Sequence, residues 1–76
     1  MHAPMIDVQS PISGRVIALH VKPGDSIQAG DALCTLESMK MEIPIEAEAG
    51  GIVAEWLVDV GADVAEGEAV ARLRTG

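Results

Sequence analysis

Phenylalanine and tyrosine are absent from this 76-residue sequence, and tryptophan and cysteine occur once each. Five basic residues stand against twelve acidic ones, for a net charge of −7. Each scarcity removes a class of function. Base stacking, the usual grip on single-stranded nucleic acid, has no side chains to use. Phosphate-backbone contacts need clustered Lys and Arg, so nucleic acid is not an expected partner. Cys34 alone cannot form an internal disulfide, and a small domain without a disulfide framework points to a reducing compartment. Met1-His2-Ala3-Pro4 lacks the basic region and apolar run of a secretory signal, so a cytoplasmic location is expected. Asp and Glu interrupt every apolar stretch well short of a membrane span, so no membrane partner is expected.

What remains is aliphatic. The sequence holds 8 Val, 7 Ile, 5 Leu and 11 Ala. Small β-branched side chains must fill the core, which favours sheet. The length suits one domain over residues 1–76, and a chain this short buries only about 60% of its unfolded surface.

The chain also repeats itself. Residues 14–38 align without a gap on residues 51–75 at an offset of 37. Gly14 falls on Gly51, Val16 on Val53, Gly24 on Gly61, Ile27 on Val64, Gly30 on Gly67 and Leu36 on Leu73. Two copies are too few for a solenoid. They suit a closed domain of two halves, related by an approximate two-fold axis, that bury their apolar faces together.

Each copy reads as short strands between turns. Arg15–Val21 is apolar and β-branched and ends at Pro23-Gly24-Asp25. A short strand at Ser26–Gln28, a turn at Ala29-Gly30-Asp31 and a strand at Ala32–Glu37 follow. The second copy gives Ile52–Val58, a short strand at Val64 and Ala69–Leu73. One strand precedes each copy, at Met5–Gln9 and Met41–Ala47. About eight short strands at regular spacing predict an all-β sandwich or barrel. A helix over Asp59–Arg74 is rejected because Gly61 and Gly67 interrupt it and the matching copy contains Pro23.

The halves meet at Glu37-Ser38-Met39-Lys40-Met41-Glu42. Only Met39 and Lys40 are left to turn the chain, as a two-residue hairpin. Such loops need positive φ and favour Asn-Gly or Asp-Gly. Met-Lys is a poor turn-former, and departures from turn chemistry concentrate at functional sites. The two-fold relation places this hairpin at the end opposite the termini. Of the two lysines, Lys22 matches Asp59 and reads as a solvated turn residue. Lys40 lies outside the matched segments. It is either a plain surface lysine or a functional one, and position alone leaves both open.

Glu37-Ser38-Met39-Lys40-Met41-Glu42-Ile43 resembles the attachment motif of biotin carboxyl carrier and biotinyl-lipoyl domains. Pro11-Ile12-Ser13-Gly14, the Gly24-Asp25 and Gly30-Asp31 turns and Ala49-Gly50-Gly51-Ile52-Val53 are also similar to that family, so the likeness runs from about Ile6 to Leu73. It implies a flattened barrel-sandwich with covalent biotin on Lys40 and with Met39 and Met41 as flanking recognition residues. Many members carry Ala where this chain has Ser38, which is also small. Some members insert a protruding thumb after the second strand, but Val21–Ser26 leaves no room for one.

The resemblance also implies partners. An ordinary lysine amine is protonated at neutral pH and a weak nucleophile. A biotin protein ligase would therefore present biotin as an activated adenylate. The long arm would then carry carboxybiotin between the biotin carboxylase and carboxyltransferase sites of an acyl-CoA carboxylase or related enzyme. Tethering raises the cofactor's effective concentration there. The chain itself would be no enzyme. Lipoate on the same lysine is the alternative cofactor, although lipoyl domains usually carry Asp before the lysine. An unmodified adaptor module is the alternative from another class.

Other residues read more plainly. His2 and His20 lack companions at ligand spacing, so no metal site is expected. Cys34 reads as a small core residue without a His partner. Trp56 matches Leu19 and reads as core. Pro44 suggests an edge strand. Met41 fits packing on the sheet as well as it fits partner contact. Glu37 reads as a residue that could position the hairpin in the ligase, and Glu42 as a solvated strand-end carboxylate.

Overall fold

The computed structural model describes residues 4–75. Within them the alternating apolar pattern becomes eight strands: β1 Met5–Gln9, β2 Gly14–Leu19, β3 Ser26–Ile27, β4 Ala32–Ser38, β5 Met41–Glu46, β6 Gly51–Trp56, β7 Asp63–Val64 and β8 Ala69–Arg74. They form two antiparallel four-stranded sheets, ordered β1-β8-β6-β3 and β5-β4-β2-β7. This is the all-β flattened sandwich expected from the sequence. The expectations for Met1–Ala3, His2 among them, lie outside the described residues.

The repeat is a structural two-fold. His20 N donates to Leu33 O and Leu57 N to Val70 O, both at 2.9 Å and related by the offset of 37. The two halves do not simply lie against one another. β3 pairs with β6, and β7 with β2, so each half lends its short strand to the other's sheet. The exchange is fastened by Gly24 N donating to Val53 O at 2.8 Å and by Gly61 N donating to Val16 O at 2.7 Å.

Turn chemistry follows residue type. In Lys22-Pro23-Gly24-Asp25 the Asp25 N–H donates to Lys22 O at 3.0 Å, and Gly24 takes φ 95°. Proline then glycine at the two central positions is the pattern of a type II turn. Asp25 accepts the Lys22 N–H at 3.0 Å, and Asp31 accepts that of Gln28 at 2.8 Å in the next turn. Gly14 and Gly51 recur for a different reason. A Cβ at Gly14 would stand 2.8 Å from Glu37 O, and one at Gly51 would stand 2.6 Å from Arg74 O.

Four strands end earlier than expected, Ser26–Gln28 at Ile27 and Met41–Ala47 at Glu46 by one residue each, and two others by two residues. Arg15–Val21 stops at Leu19, and Ile52–Val58 stops at Trp56. Both carry a register irregularity, between Val16 and Ala18 and between Val53 and Glu55. A bulge bends and twists its strand, which turns the following residues off the ladder. The connection from Leu19 to Ser26 is a tight turn with no thumb.

The core is two clusters, with the partly buried Val8 and Trp56 packed against both. One holds Val16, Cys34, Leu36, Ile45, Val64, Val70 and Ala71, and the other Ile27, Leu33, Ala47, Val53 and Leu73. Each fully buried Val, Leu or Ile contributes roughly 1.5–3 kcal/mol. Trp56 joins the clusters but is only half-buried, and its indole N–H donates to Val21 O at 2.8 Å. Pro44 lies on the edge strand β5, as expected. The two-fold carries the Ser38–Met41 pair onto Thr75 and Pro4, joined by a 2.9 Å hydrogen bond from Thr75 N to Pro4 O. The β4–β5 tip and that pairing therefore occupy opposite ends of a body measuring 43 × 18 × 17 Å.

Candidate functional site

Strands β4 and β5 run as a ladder from Ala32 opposite Glu46 to Ser38 opposite Met41, leaving Met39 and Lys40 as the turn. Leu36 and Ile45 anchor the base of this hairpin in the core. Side chains alternate between faces along a strand. Leu36 therefore points inward and Glu37 outward, and the turn lies beyond the last β2–β4 pair, Arg15 opposite Glu37.

Met39 has φ 52° and Lys40 φ 65°, the positive values expected for a two-residue hairpin. They are the only positive-φ residues other than glycine among the described residues. Holding an ordinary side chain in this region costs roughly 1–2 kcal/mol per residue. The cost is borne where the chain must present a side chain, since Gly would turn it more easily.

The tip is bare. Met39 is 92% exposed and Met41 62%, and Lys40 is exposed as well. Met41 thus keeps most of its surface in solvent. Lys40 makes no ion pair among the described residues. Lys22 is also exposed, but it sits in the type II turn where its N–H is held by Asp25.

One arrangement escaped the sequence. Across the second sheet, Glu42, Glu37, Arg15 and Asp63 stand in one row on β5, β4, β2 and β7. Arg15 bonds Asp63 at 3.4 Å, leaving the Glu37–Glu42 pair opposed just below the lysine. The residues are far apart in the chain, and only the strand register aligns them. In the other sheet Arg72 sits between Asp7 at 3.3 Å and Glu55 at 3.2 Å, a fully paired cation.

The remaining candidates stand apart from the tip. Cys34 is wholly buried, and burial pushes its thiol up to about 11. A thiol so held is inert as a nucleophile. His20 is exposed, with its ring Nε2 2.7 Å from Thr35 Oγ1. The described residues hold no group of three or more metal-ligating side chains. A surface cleft lined by Ile6, Asp7, Gln9, Pro11, Glu46 and Glu48 does not reach Lys40.

The arrangement offers one amine on a firmly based turn, with no acid, base or oxyanion donors converging on it.

Known proteins share this plan. The family described as "Biotin-requiring enzyme" matches residues 1–73. The "Biotinylated protein TB7.3 homolog" of Mycobacterium leprae is 45% identical over 65 residues, covering 86% of this chain and 92% of that protein. The "Biotin/lipoyl attachment protein" of Bacillus subtilis is 44% identical over 66 residues, covering 87% and 90%. Among solved structures, the urea carboxylase of Kluyveromyces lactis superposes with a TM-score of 0.88 at 29% identity, covering 96% of this chain and 6% of that one. The lipoyl domain of the 2-oxoglutarate dehydrogenase complex from Azotobacter vinelandii gives 0.77 at 30%, covering 93% and 98%.

Proposed function

Because the chain belongs to the biotin/lipoyl attachment family, whose domains carry a covalent cofactor and are not catalysts, we propose that it is a biotin carboxyl carrier, with Lys40 the attachment point. The single observation that carries this reading is the tip. Two consecutive residues other than glycine are held at positive φ to raise one amine clear of the body.

The residues present fit the group. Lys40 Nζ would hold it through an amide, and Met39 and Met41 would flank it. When bound, biotin supplies a ring nitrogen that accepts and releases a carboxyl group. The chain's own contribution is positional. Leu36 and Ile45 fix the hairpin base, and the left-handed turn aims the amine outward. The bare thioethers of Met39 and Met41 offer polarizable surface to a biotin protein ligase and to biotin carboxylase and carboxyltransferase subunits. An acyl-CoA or related carboxylase is the assembly proposed.

Lipoate is the competing cofactor. The test is to offer the purified chain biotin with a biotin protein ligase and, separately, lipoate with a lipoate ligase. Intact mass should show one biotinyl group and little lipoyl. Preferential gain of a lipoyl group would overturn the choice of cofactor.

A further inference from the structure

We propose that Met39 and Met41 form a reversible oxidation site through which a peroxide lowers the loading of Lys40. The inference rests on the carrier reading above and adds a form of regulation to the same tip.

Three observations lead to it. First, Met39 is the most exposed large apolar side chain of the described residues, and Met41 the next. Both side chains are exposed. Second, Met39 stands at φ 52°, where asparagine or glycine makes the better turn. Its presence there is not explained by folding. Third, the sulfur that would normally react first is withdrawn. Cys34 is completely buried among Val16, Leu36, Ile45 and Val70 and offers an oxidant no access. An oxidant reaching this protein therefore meets the tip methionines on either side of the amine.

The chemistry balances with hydrogen peroxide as oxidant. The thioether sulfur attacks one peroxide oxygen, the S–O bond forms and the O–O bond breaks. Sulfur loses two electrons and the peroxide is reduced. The departing hydroxide takes the proton of the transferred oxygen and leaves as water. The product is a polar, chiral sulfoxide in place of a flexible apolar arm, and sulfoxide reductases reverse the change. A partner surface built for thioethers would then face an oxygen acceptor without a matching donor. Such a mismatch weakens recognition roughly five- to a hundredfold.

Met5 supplies an internal control. It is 50% exposed, so peroxide reaches it too, but it lies on β1 at the opposite end of the body. The experiment treats the unloaded chain with hydrogen peroxide, removes the peroxide, and maps oxidised residues by peptide mass spectrometry. Biotin, ATP and a biotin protein ligase are then added, and the loading rate is measured. Met39 and Met41 should be oxidised with Cys34 spared, and loading should slow at least about fivefold. Methionine sulfoxide reductases should restore the rate. Met5→Leu should slow as much as the parent does, whereas the Met39→Leu/Met41→Leu double variant should keep its own untreated rate after peroxide. A treated chain with both tip methionines oxidised and an unchanged rate would overturn the inference alone, as would a double variant that slows equally. An untreated chain that takes no biotin overturns the carrier reading, and this inference with it.

Discussion

Glu37 and Glu42 stand directly opposite each other on β4 and β5, one pair below the turn that bears Lys40. Like charges so placed oppose strand pairing. Arg15, opposite Glu37 on the other side, is engaged by Asp63 at 3.4 Å. Glu42→Gln should therefore raise stability by about 0.2–0.5 kcal/mol at low salt, with the gain fading as salt screens the pair. Urea unfolding at two ionic strengths reads this directly. Unchanged stability at low salt would mean that the two carboxylates do not interact.

The strained turn predicts a gain in stability at the expense of function. Met39→Asn places a residue that tolerates positive φ where Met now sits at 52°. The unfolding midpoint should rise by a few degrees, corresponding to about 0.5–1 kcal/mol. The loading rate with biotin protein ligase should fall in the same variant. A rise in both would show that Met39 is not a recognition residue.

Adjacent glycines separate close approach from open space. Gly51→Ala puts a Cβ 2.6 Å from Arg74 O, a backbone atom that cannot swing aside. Gly50→Ala meets nothing nearer than Ile27 O at 3.4 Å. The first should cost roughly 1–3 kcal/mol and the second within about 0.5 kcal/mol of nothing, by denaturant unfolding. Equal costs would contradict the strand geometry at the start of β6.

Cys34 gives the fold an alkaline limit. Burial raises its thiol from 9.0 to about 11, so between those values the unfolded chain has lost a proton that the folded chain keeps. Stability from this group is complete below pH 9.0 and is lost as pH rises toward 11. Cys34→Ala, which copies the residue at its two-fold mate Ala71, should flatten the stability curve over that range. An equally steep fall in the variant would assign the alkaline loss elsewhere.

The sequence carried the plan of this fold through residues that recur. Gly24 and Gly61, Val16 and Val53, and Leu36 and Leu73 announced two like halves, and β1 runs over Met5–Gln9 as expected. The exchange of β3 and β7 was not legible, because an offset of 37 is the same whether a short strand pairs with its own half or the other. The bulges after Val16 and Val53 were equally silent, since they depend on the partner strand. At the tip, the turn at Met39 and Lys40 could be read because only two residues separate β4 from β5, whereas Lys40 as an attachment point came only from the resemblance of Glu37–Ile43 to a known motif. The row of Glu42, Glu37, Arg15 and Asp63 could not be read, because register alone assembles it.

The most direct test of the central claim is peptide mapping of the chain after co-expression with a biotin protein ligase, beside Lys40→Arg. The account predicts one biotinyl group on the peptide containing Lys40, and none on the Arg variant, which should keep its fold by circular dichroism. Biotin on Lys22, or on the folded Arg variant, would contradict it.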